Sequence, residues 1–151
     1  MKTFLKYWLP LLIWLGVMFI GSSDLLSSAH TSRILIPFLR WLKPDISLET
    51  LAIIHFIWRK TAHVCEYAIL ALLLFRALRG GTRLHLAMPI FLLVWVGSTI
   101  FAALDEFHQS LVISRGSAIG DVALDSCGAI FGMAIYWWFT RAKSRSGLPP
   151  L

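Results

Sequence analysis

Four long runs of apolar residues constrain this chain more than any other feature. They cover about residues 7–21, 61–78, 84–104 and 118–140. A helix of about 20 residues crosses the hydrocarbon core of a bilayer. Only 15% of the residues are charged, against roughly 25% in soluble domains. The runs therefore predict an all-α integral membrane bundle of four transmembrane helices, formed by one domain that comprises residues 1–151.

The first apolar run has a second interpretation. It resembles the apolar region of a signal peptide, because the small residues Gly21, Ser22 and Ser23 follow it as a possible cleavage site. We favour a retained helix, since the rest of the chain is membrane-embedded and needs a first span.

The segment between spans one and two is more than a linker. Residues 33–42 are rich in Ile, Leu, Phe and Trp, and Arg33, Arg40 and Lys43 lie within or beside them. This composition predicts an interfacial amphipathic segment that lies on the membrane surface. Ser47 can then cap a helix that begins at Leu48 and runs unbroken into span two.

The distribution of basic residues predicts the orientation of the chain. If both termini are cytoplasmic, the inner segments contain eight basic residues and no acidic ones, and the short segment 76–83, predicted to be a loop, contains three of these. Short cytoplasmic loops are typically enriched in Lys and Arg. The sequence thus predicts a multi-pass membrane protein whose two termini are both cytoplasmic. The inner basic residues are Lys2, Lys6, Arg76, Arg79, Arg83, Arg141, Lys143 and Arg145.

Composition also argues against several classes of site. The formal charge of +6 is explained by basic residues at span ends, and no nucleic-acid motif is present, so we expect no nucleic-acid partner. Cys65 and Cys127 are too few for a zinc site of the usual spacing. We expect them to be two small buried apolar residues without a disulfide.

Polar residues gather at one end of three spans. At the start of span two, a helical arc of about 120° contains Arg59, Lys60, His63, Glu66 and Tyr67. An unpaired ionisable residue in a membrane helix costs about 2.5–3.5 kcal/mol or more. We therefore expect Lys60, Glu66, Asp105, Arg115 and Asp121 to converge in one outer-leaflet polar pocket. The polar residues at the ends of spans three and four are Asp105, Glu106, Gln109, Arg115, Ser117, Asp121 and Asp125.

Two other features at these helices carry predictions. Gly128 and Gly132 form a GxxxG stripe that predicts close approach of another helix, whereas Gly80 is placed in a loop. His108 is placed outside the polar cluster, because it points away from the stripe formed by Asp105 and Gln109.

The order and spacing of these residues resemble the VanZ-like family, which is linked to teicoplanin resistance. The resemblance implies a location in the bacterial inner (cytoplasmic) membrane. Two departures matter: Val112-Ile113-Ser114 stands where the family often has Pro-Gly, and Asp125 stands where Asn is common. The first implies a differently shaped turn, and the second adds a negative charge. The residues that carry the resemblance are Lys60-x-x-His63-x-x-Glu66-Tyr67, Asp105-Glu106-x-x-Gln109, Arg115-Gly116-Ser117 and Asp121-x-x-x-Asp125-x-x-Gly128.

The polar residues allow functional and structural interpretations. In the structural interpretation, the polar residues form a network that only holds the helices in register. Ser117 then only caps span four, with Arg115 beside it at the surface. In the functional interpretation, Arg115 and Ser117 form an anion site at the start of span four. His63 and Glu66 are the candidate catalytic residues. No metal or cofactor is expected, although a divalent cation is possible from the ligand types. The candidate ligand-binding residues are Lys60, Tyr67, Asp105, Glu106, Gln109, Arg115, Ser117, Asp121 and Asp125.

Three functions fit this pattern. The first is a non-catalytic envelope protein whose pocket binds an anionic, lipid-linked or cell-wall precursor component. The second is a membrane enzyme acting on a lipid-linked phosphate headgroup, with His63 and Glu66 as acid and base. The third, a proton-coupled transporter, is disfavoured because no polar track reaches the inner half of the spans. We favour the first, with membrane lipid as the expected partner and the oligomeric state left open.

Overall fold

The computed structural model describes residues 2–23, 28–81, 87–111 and 119–145, which form five helices and no strand. Four of these helices, α1, α3, α4 and α5, are long and apolar enough to cross a membrane. The predicted four-span helical bundle is therefore confirmed. Arg115 and Ser117 lie outside the described residues. The helices are α1 (Lys2–Ser22), α2 (Ser28–Leu42), α3 (Leu48–Gly81), α4 (Ala87–Ser110) and α5 (Ile119–Arg145).

Helix α3 is the central element of the bundle. It is one unbroken helix of 34 residues, as the sequence predicted, and Ser47 caps its start by accepting a hydrogen bond from the Thr50 backbone N–H at 3.1 Å. At 1.5 Å per residue its length is about 51 Å, which exceeds the hydrocarbon thickness of about 30 Å. The predicted span 61–78 therefore covers only its apolar part.

Helix α2 has the features of an interfacial segment. Its 15 residues extend about 22 Å, too short to cross the bilayer. Ile34, Phe38 and Trp41 are largely exposed, and Arg33 and Arg40 are exposed on the same short helix. An amphipathic helix of this composition is stable at a membrane interface, where its apolar side chains leave water.

Small residues bring α3 and α5 into close contact. A methyl group added at Gly128 would lie 2.7 Å from the carbonyl oxygen of Val64, and one at Gly132 would lie closer still to that of Ala68. The GxxxG stripe therefore packs directly on the α3 backbone, as predicted.

Two groups of buried side chains hold α1, α4 and α5 against α3. One joins α1, α3 and α4, and the indole N–H of Trp14 adds a hydrogen bond of 3.2 Å to the carbonyl oxygen of Glu66. The other joins α3, α4 and α5. Their fully or largely buried members are Leu11, Met18, Tyr67, Leu70, Ala77 and Ala102 in the first, and Ala71, Phe75, Ile90, Val94, Ala129 and Met133 in the second.

Two sequence predictions about packing are wrong. Cys65 and Cys127 are exposed rather than buried, because the faces of α3 and α5 that point inward are those of His63 and Gly128, and the cysteines lie to the side of them. Gly80 is not in a loop: it lies within α3 and contacts the ring of Tyr7. The helix continues through most of segment 76–83 because Ala77 and Leu78 still pack on the bundle.

Candidate functional site

A cavity opens at the end of the bundle where α1 and α4 finish. Its volume is about 210 Å³, which corresponds to roughly seven water molecules at about 30 Å³ each. Helices α1, α2, α3 and α4 all contribute to its wall. The lining residues are Met18, Gly21, Ser22, Thr31, Trp58, Arg59, Ala62, His63, Glu66, Asp105 and Gln109.

Helical spacing explains how the charged residues reach the cavity. Arg59, His63 and Glu66 are separated by four and three residues, so they share one face of α3. Asp105 and Gln109 share a face of α4 in the same way, and the Gln109 amide nitrogen donates a hydrogen bond of 2.8 Å to Asp105 Oδ2. This bond orients the carboxylate of Asp105, which lines the cavity opposite α3.

A buried carboxylate on α5 lies behind His63. The distance from His63 Nδ1 to Asp125 Oδ1 is 3.2 Å, and the Asp125 side chain is only 1% exposed. The two atoms are within ion-pair distance, but their angles are not those of a hydrogen bond. Because Nδ1 faces Asp125, the other ring nitrogen is the one available to a group in the cavity.

Tyr67 lies one helical turn beyond His63. Its ring is fully buried and packs near Phe101, with the ring centroids 6.4 Å apart. Within the described residues its hydroxyl has no hydrogen-bond partner. Tyr67 does not line the cavity, so the structure places this predicted binding residue in the wall behind it.

Lys60 and Asp121 form a second ion pair between α3 and α5. Asp121 is buried, and the Lys60 ammonium also lies 5.2 Å from the centroid of the Phe56 ring. This pair is about one turn nearer the end of the bundle than the contact between His63 and Asp125. The two contacts fix the register of the polar ends of α3 and α5.

The structure thus divides the five residues that were expected to share one pocket. Glu66 and Asp105 line the cavity, while Lys60 and Asp121 pair with each other beside it. The position of Arg115 falls outside the described residues. Lys60 does not line the cavity because it pairs with the buried Asp121 carboxylate, which would be costly to leave unpaired.

The remaining predicted residues lie around this centre. Glu106 is buried on α4 but does not line the cavity, and Gln109 is both buried and part of the cavity wall. In the described part of the chain, no three His, Cys, Asp or Glu side chains are grouped so that they could hold a metal ion.

Sequence reasoning did not include α1 and α2 in the site. Ser22 and Thr31 line the cavity, and His108 is not isolated: its Nδ1 lies 3.3 Å from Ser22 Oγ and its ring stacks on Phe19. His108 does point away from the stripe of Asp105, but toward α1 rather than lipid. The short polar residues at the end of span one were the available signal for this contact.

A polar contact deeper in the bundle was also missed. The Trp95 indole N–H donates to Ser126 Oγ at 2.8 Å, and Thr99 Oγ1 lies 2.9 Å from the same oxygen. Such interhelical hydrogen bonds stabilise membrane bundles modestly, and this one joins α4 to α5 away from the cavity.

Comparison with known proteins gives the chain its family. No curated protein and no solved structure matched it. The family model described as VanZ/LLP1 matches residues 7–140, which include the residues that line the cavity and most of the length of each of the four spanning helices. The chain is a multi-pass membrane protein that belongs to the VanZ/LLP1 family.

Proposed function

We propose that this protein acts in the bacterial inner membrane as a cell-envelope protein whose cavity binds the polar head of a lipid-linked envelope component. The observation that carries the proposal is the cavity itself, where Arg59, His63, Glu66 and Asp105 come together from two neighbouring spans. Arg59 supplies the donors that recognise a phosphate, and the adjacent apolar helix surfaces offer space for lipid chains.

A purely structural role explains less of this arrangement. The contacts of Lys60 with Asp121 and of His63 with Asp125 already link α3 to α5. Stability alone does not require further charged residues, since apolar residues of similar size serve as well or better. Native interiors contain few voids larger than a water molecule, so a void lined by Arg59, Glu66 and Asp105 supports ligand binding.

The family link to teicoplanin resistance fits this proposal. With both termini cytoplasmic, the cavity faces the outer leaflet, where lipid-linked cell-wall precursors are exposed to glycopeptide antibiotics. A protein that binds or shields such a component would reduce the antibiotic's access to it. The size of the cavity, about 210 Å³, suits a headgroup or the end of a peptide better than a whole precursor.

Filling the cavity is expected to remove bound lipid. Ala62 lines the cavity, so Ala62→Trp should occupy the space of a headgroup and reduce the phospholipid phosphorus that copurifies with the protein. Ala52→Trp is the matched control, because Ala52 is exposed on the same helix and does not line the cavity. Equal lipid phosphorus in the two variants and the wild type would contradict a headgroup site in this cavity.

An enzyme is the second candidate, and one observation favours it. A histidine that lines a cavity and is backed by a buried carboxylate resembles a general base with its orienting group. His63 would take a proton from water attacking a lipid phosphate, Glu66 would donate one to the leaving group, and Arg59 would hold the phosphate. Lys60 cannot take that last role while it is paired with Asp121.

Incubation with lipid phosphates tests the enzyme directly. Release of inorganic phosphate by the wild type that falls at least roughly 100-fold in His63→Ala, as expected on loss of a general base, would support catalysis. His55→Ala is the control, since His55 lies on α3 outside the cavity. Equal phosphate release by both variants would exclude His63 as the base.

The orientation is testable separately. The inner ends of the spans are basic, and at one of them Arg76 and Lys6 both lie over the Tyr7 ring, 5.3 and 5.2 Å from its centroid. We expect a reporter enzyme that is active only in the cytoplasm to be active when it is fused at Leu151. Activity of a reporter that works only outside the cytoplasm would place the cavity on the cytoplasmic side.

A further inference from the structure

The end of the bundle opposite the cavity has basic side chains and no acidic ones. No Asp or Glu occurs in residues 1–23, 67–104 or 126–151, which include this end of all four spanning helices. An anion that balances the positive charge therefore has to come from the surroundings of the protein. The described basic residues at this end are Lys2, Lys6, Arg76, Arg79 and Arg141.

Two of these cations converge on one aromatic ring. The Lys6 ammonium lies 5.2 Å and the Arg76 guanidinium carbon 5.3 Å from the centroid of the Tyr7 ring. The ring is held against α3, because a carbon added at Gly80 would overlap it. Each cation is attracted by the ring, but the two positive charges repel each other, and an anion between them would offset that repulsion. At Tyr7, α1 and α3 thus present positive charge together.

Helical spacing adds one more cation on each side of this contact. Lys2 is four residues before Lys6 on α1, and Arg79 is three residues after Arg76 on α3, so each is a neighbour of that residue on its own helix. Arg76 is half-buried, and the other three are exposed. One phosphate would balance only part of this charge, whereas two phosphates on one molecule could contact both the α1 pair and the α3 pair.

Exposed apolar side chains continue from this basic surface along α1. Phe4, Leu5 and Leu9 are largely exposed, and the rings of Phe4 and Trp8 stack with their centroids 6.2 Å apart. Aromatic residues at the end of a spanning helix are typical of the membrane interface. A soluble phosphate would contact only the cations, whereas a phospholipid would contact the cations and the apolar side chains together. The surface therefore favours a lipid.

We propose that the basic ends of α1 and α3 bind cardiolipin, a phospholipid with two phosphates. Its phosphates contact the basic side chains around Tyr7, and its acyl chains lie along the exposed apolar face of α1. Basic pockets between spanning helices bind cardiolipin headgroups in other membrane proteins. Arg76 is 13 residues beyond His63 on α3, or about 20 Å along the helix axis, so this site is independent of the function proposed for the cavity.

Native mass spectrometry of the detergent-purified protein tests the class of lipid. The probes are cardiolipin, phosphatidylglycerol and phosphatidylcholine with identical acyl chains. We expect cardiolipin to bind at least about fivefold more tightly than phosphatidylglycerol, which is the effect of roughly one further basic contact at a membrane surface. Phosphatidylcholine, whose headgroup has no net charge, should bind most weakly. Cardiolipin binding no tighter than phosphatidylglycerol would overturn the proposal.

Arg76→Gln and Arg141→Gln are the matched pair of variants. Both remove one positive charge from this end of the bundle and one contact with an aromatic ring, since Arg141 lies 3.8 Å from the centroid of the Trp137 ring on α5. Arg76→Gln should weaken cardiolipin binding about fivefold, while Arg141→Gln should leave it unchanged. Because cardiolipin has the same additional acyl chains in both experiments, this difference would be due to its phosphates. Equal weakening in the two variants, or none in Arg76→Gln, would overturn the site.

Two further variants separate this site from the cavity and from effects on folding. Lys6→Gln changes an exposed residue, so it should unfold at the wild-type temperature and still weaken cardiolipin binding. Ala62→Trp should keep the wild-type affinity for cardiolipin, because Ala62 lines the cavity toward the other end of α3. Loss of cardiolipin from Ala62→Trp, or wild-type affinity in Lys6→Gln, would overturn the site at Tyr7.

Discussion

The variant Gly132→Leu is expected to unfold at a much lower temperature than the wild type. A single added carbon at Gly132 already overlaps the Ala68 carbonyl group, which belongs to the α3 backbone and cannot rotate away. Overpacking of this kind costs about 3 kcal/mol or more. We expect the thermal unfolding temperature of the detergent-solubilised protein to fall by roughly 10 °C.

Gly16→Leu is the matched control for this experiment. Gly16 is also in the middle of an apolar spanning helix, but an added carbon there meets nothing within 4 Å. Its replacement should leave stability unchanged or raise it slightly, since glycine is a poor helix former. Gly80→Leu is unsuitable as a control because Gly80 contacts the Tyr7 ring. Equal unfolding temperatures for the Gly132 and Gly16 variants would show that the α3–α5 contact is not close.

Removing the lysine from the ion pair of Lys60 and Asp121 is expected to have the second largest effect on stability. Lys60→Met leaves the Asp121 carboxylate buried without its partner, which costs about 3–5 kcal/mol for a fully buried pair. Because the Lys60 side chain is 31% exposed, we expect a smaller loss of unfolding free energy, on the order of 2 kcal/mol. Chemical denaturation in a mixed micelle would measure it.

The double variant Lys60→Met/Asp121→Leu shows whether pairing is the cause. It removes both charges, so most of the lost stability should return. Lys6→Met is the control, since Lys6 is exposed at the opposite end of the bundle and belongs to no ion pair among the described residues. If Asp121→Leu lowers the unfolding free energy by the same amount in the wild type and in Lys60→Met, the stabilising effects of the two side chains are independent.

Local patterns in the sequence were sufficient for the helices and for the faces they present. The apolar runs predicted the four spans, Ser47 predicted the start of α3, and the spacing of His63 and Glu66 predicted a polar face. The GxxxG stripe even indicated a close contact for α5. These features depend on helical periodicity and on the cost of charge in lipid, and both can be derived from the chain alone.

The pairing of side chains could not be predicted in the same way. Several acids are expected near the membrane depth of Lys60, and only the packing of α5 on Val64 and Ala68 brings Asp121 to it. The contribution of α1 to the cavity could not be predicted for a similar reason. Its few polar residues could be assigned to the site only once the structure placed Ser22 Oγ beside His108 Nδ1. Exposure of Cys65 likewise follows from which face of α3 the neighbouring helices cover.

The most direct test of the cavity's proposed role is an electron cryomicroscopy map of the protein in nanodiscs made from bacterial lipid. We expect density that does not belong to the protein inside the cavity, between Arg59 and the carboxylates of Glu66 and Asp105, and continuous with lipid chains along the bundle. The same density should be missing in Ala62→Trp. A wild-type map in which only water or protein side chains occupy this cavity would contradict the proposal that it binds a lipid-linked headgroup.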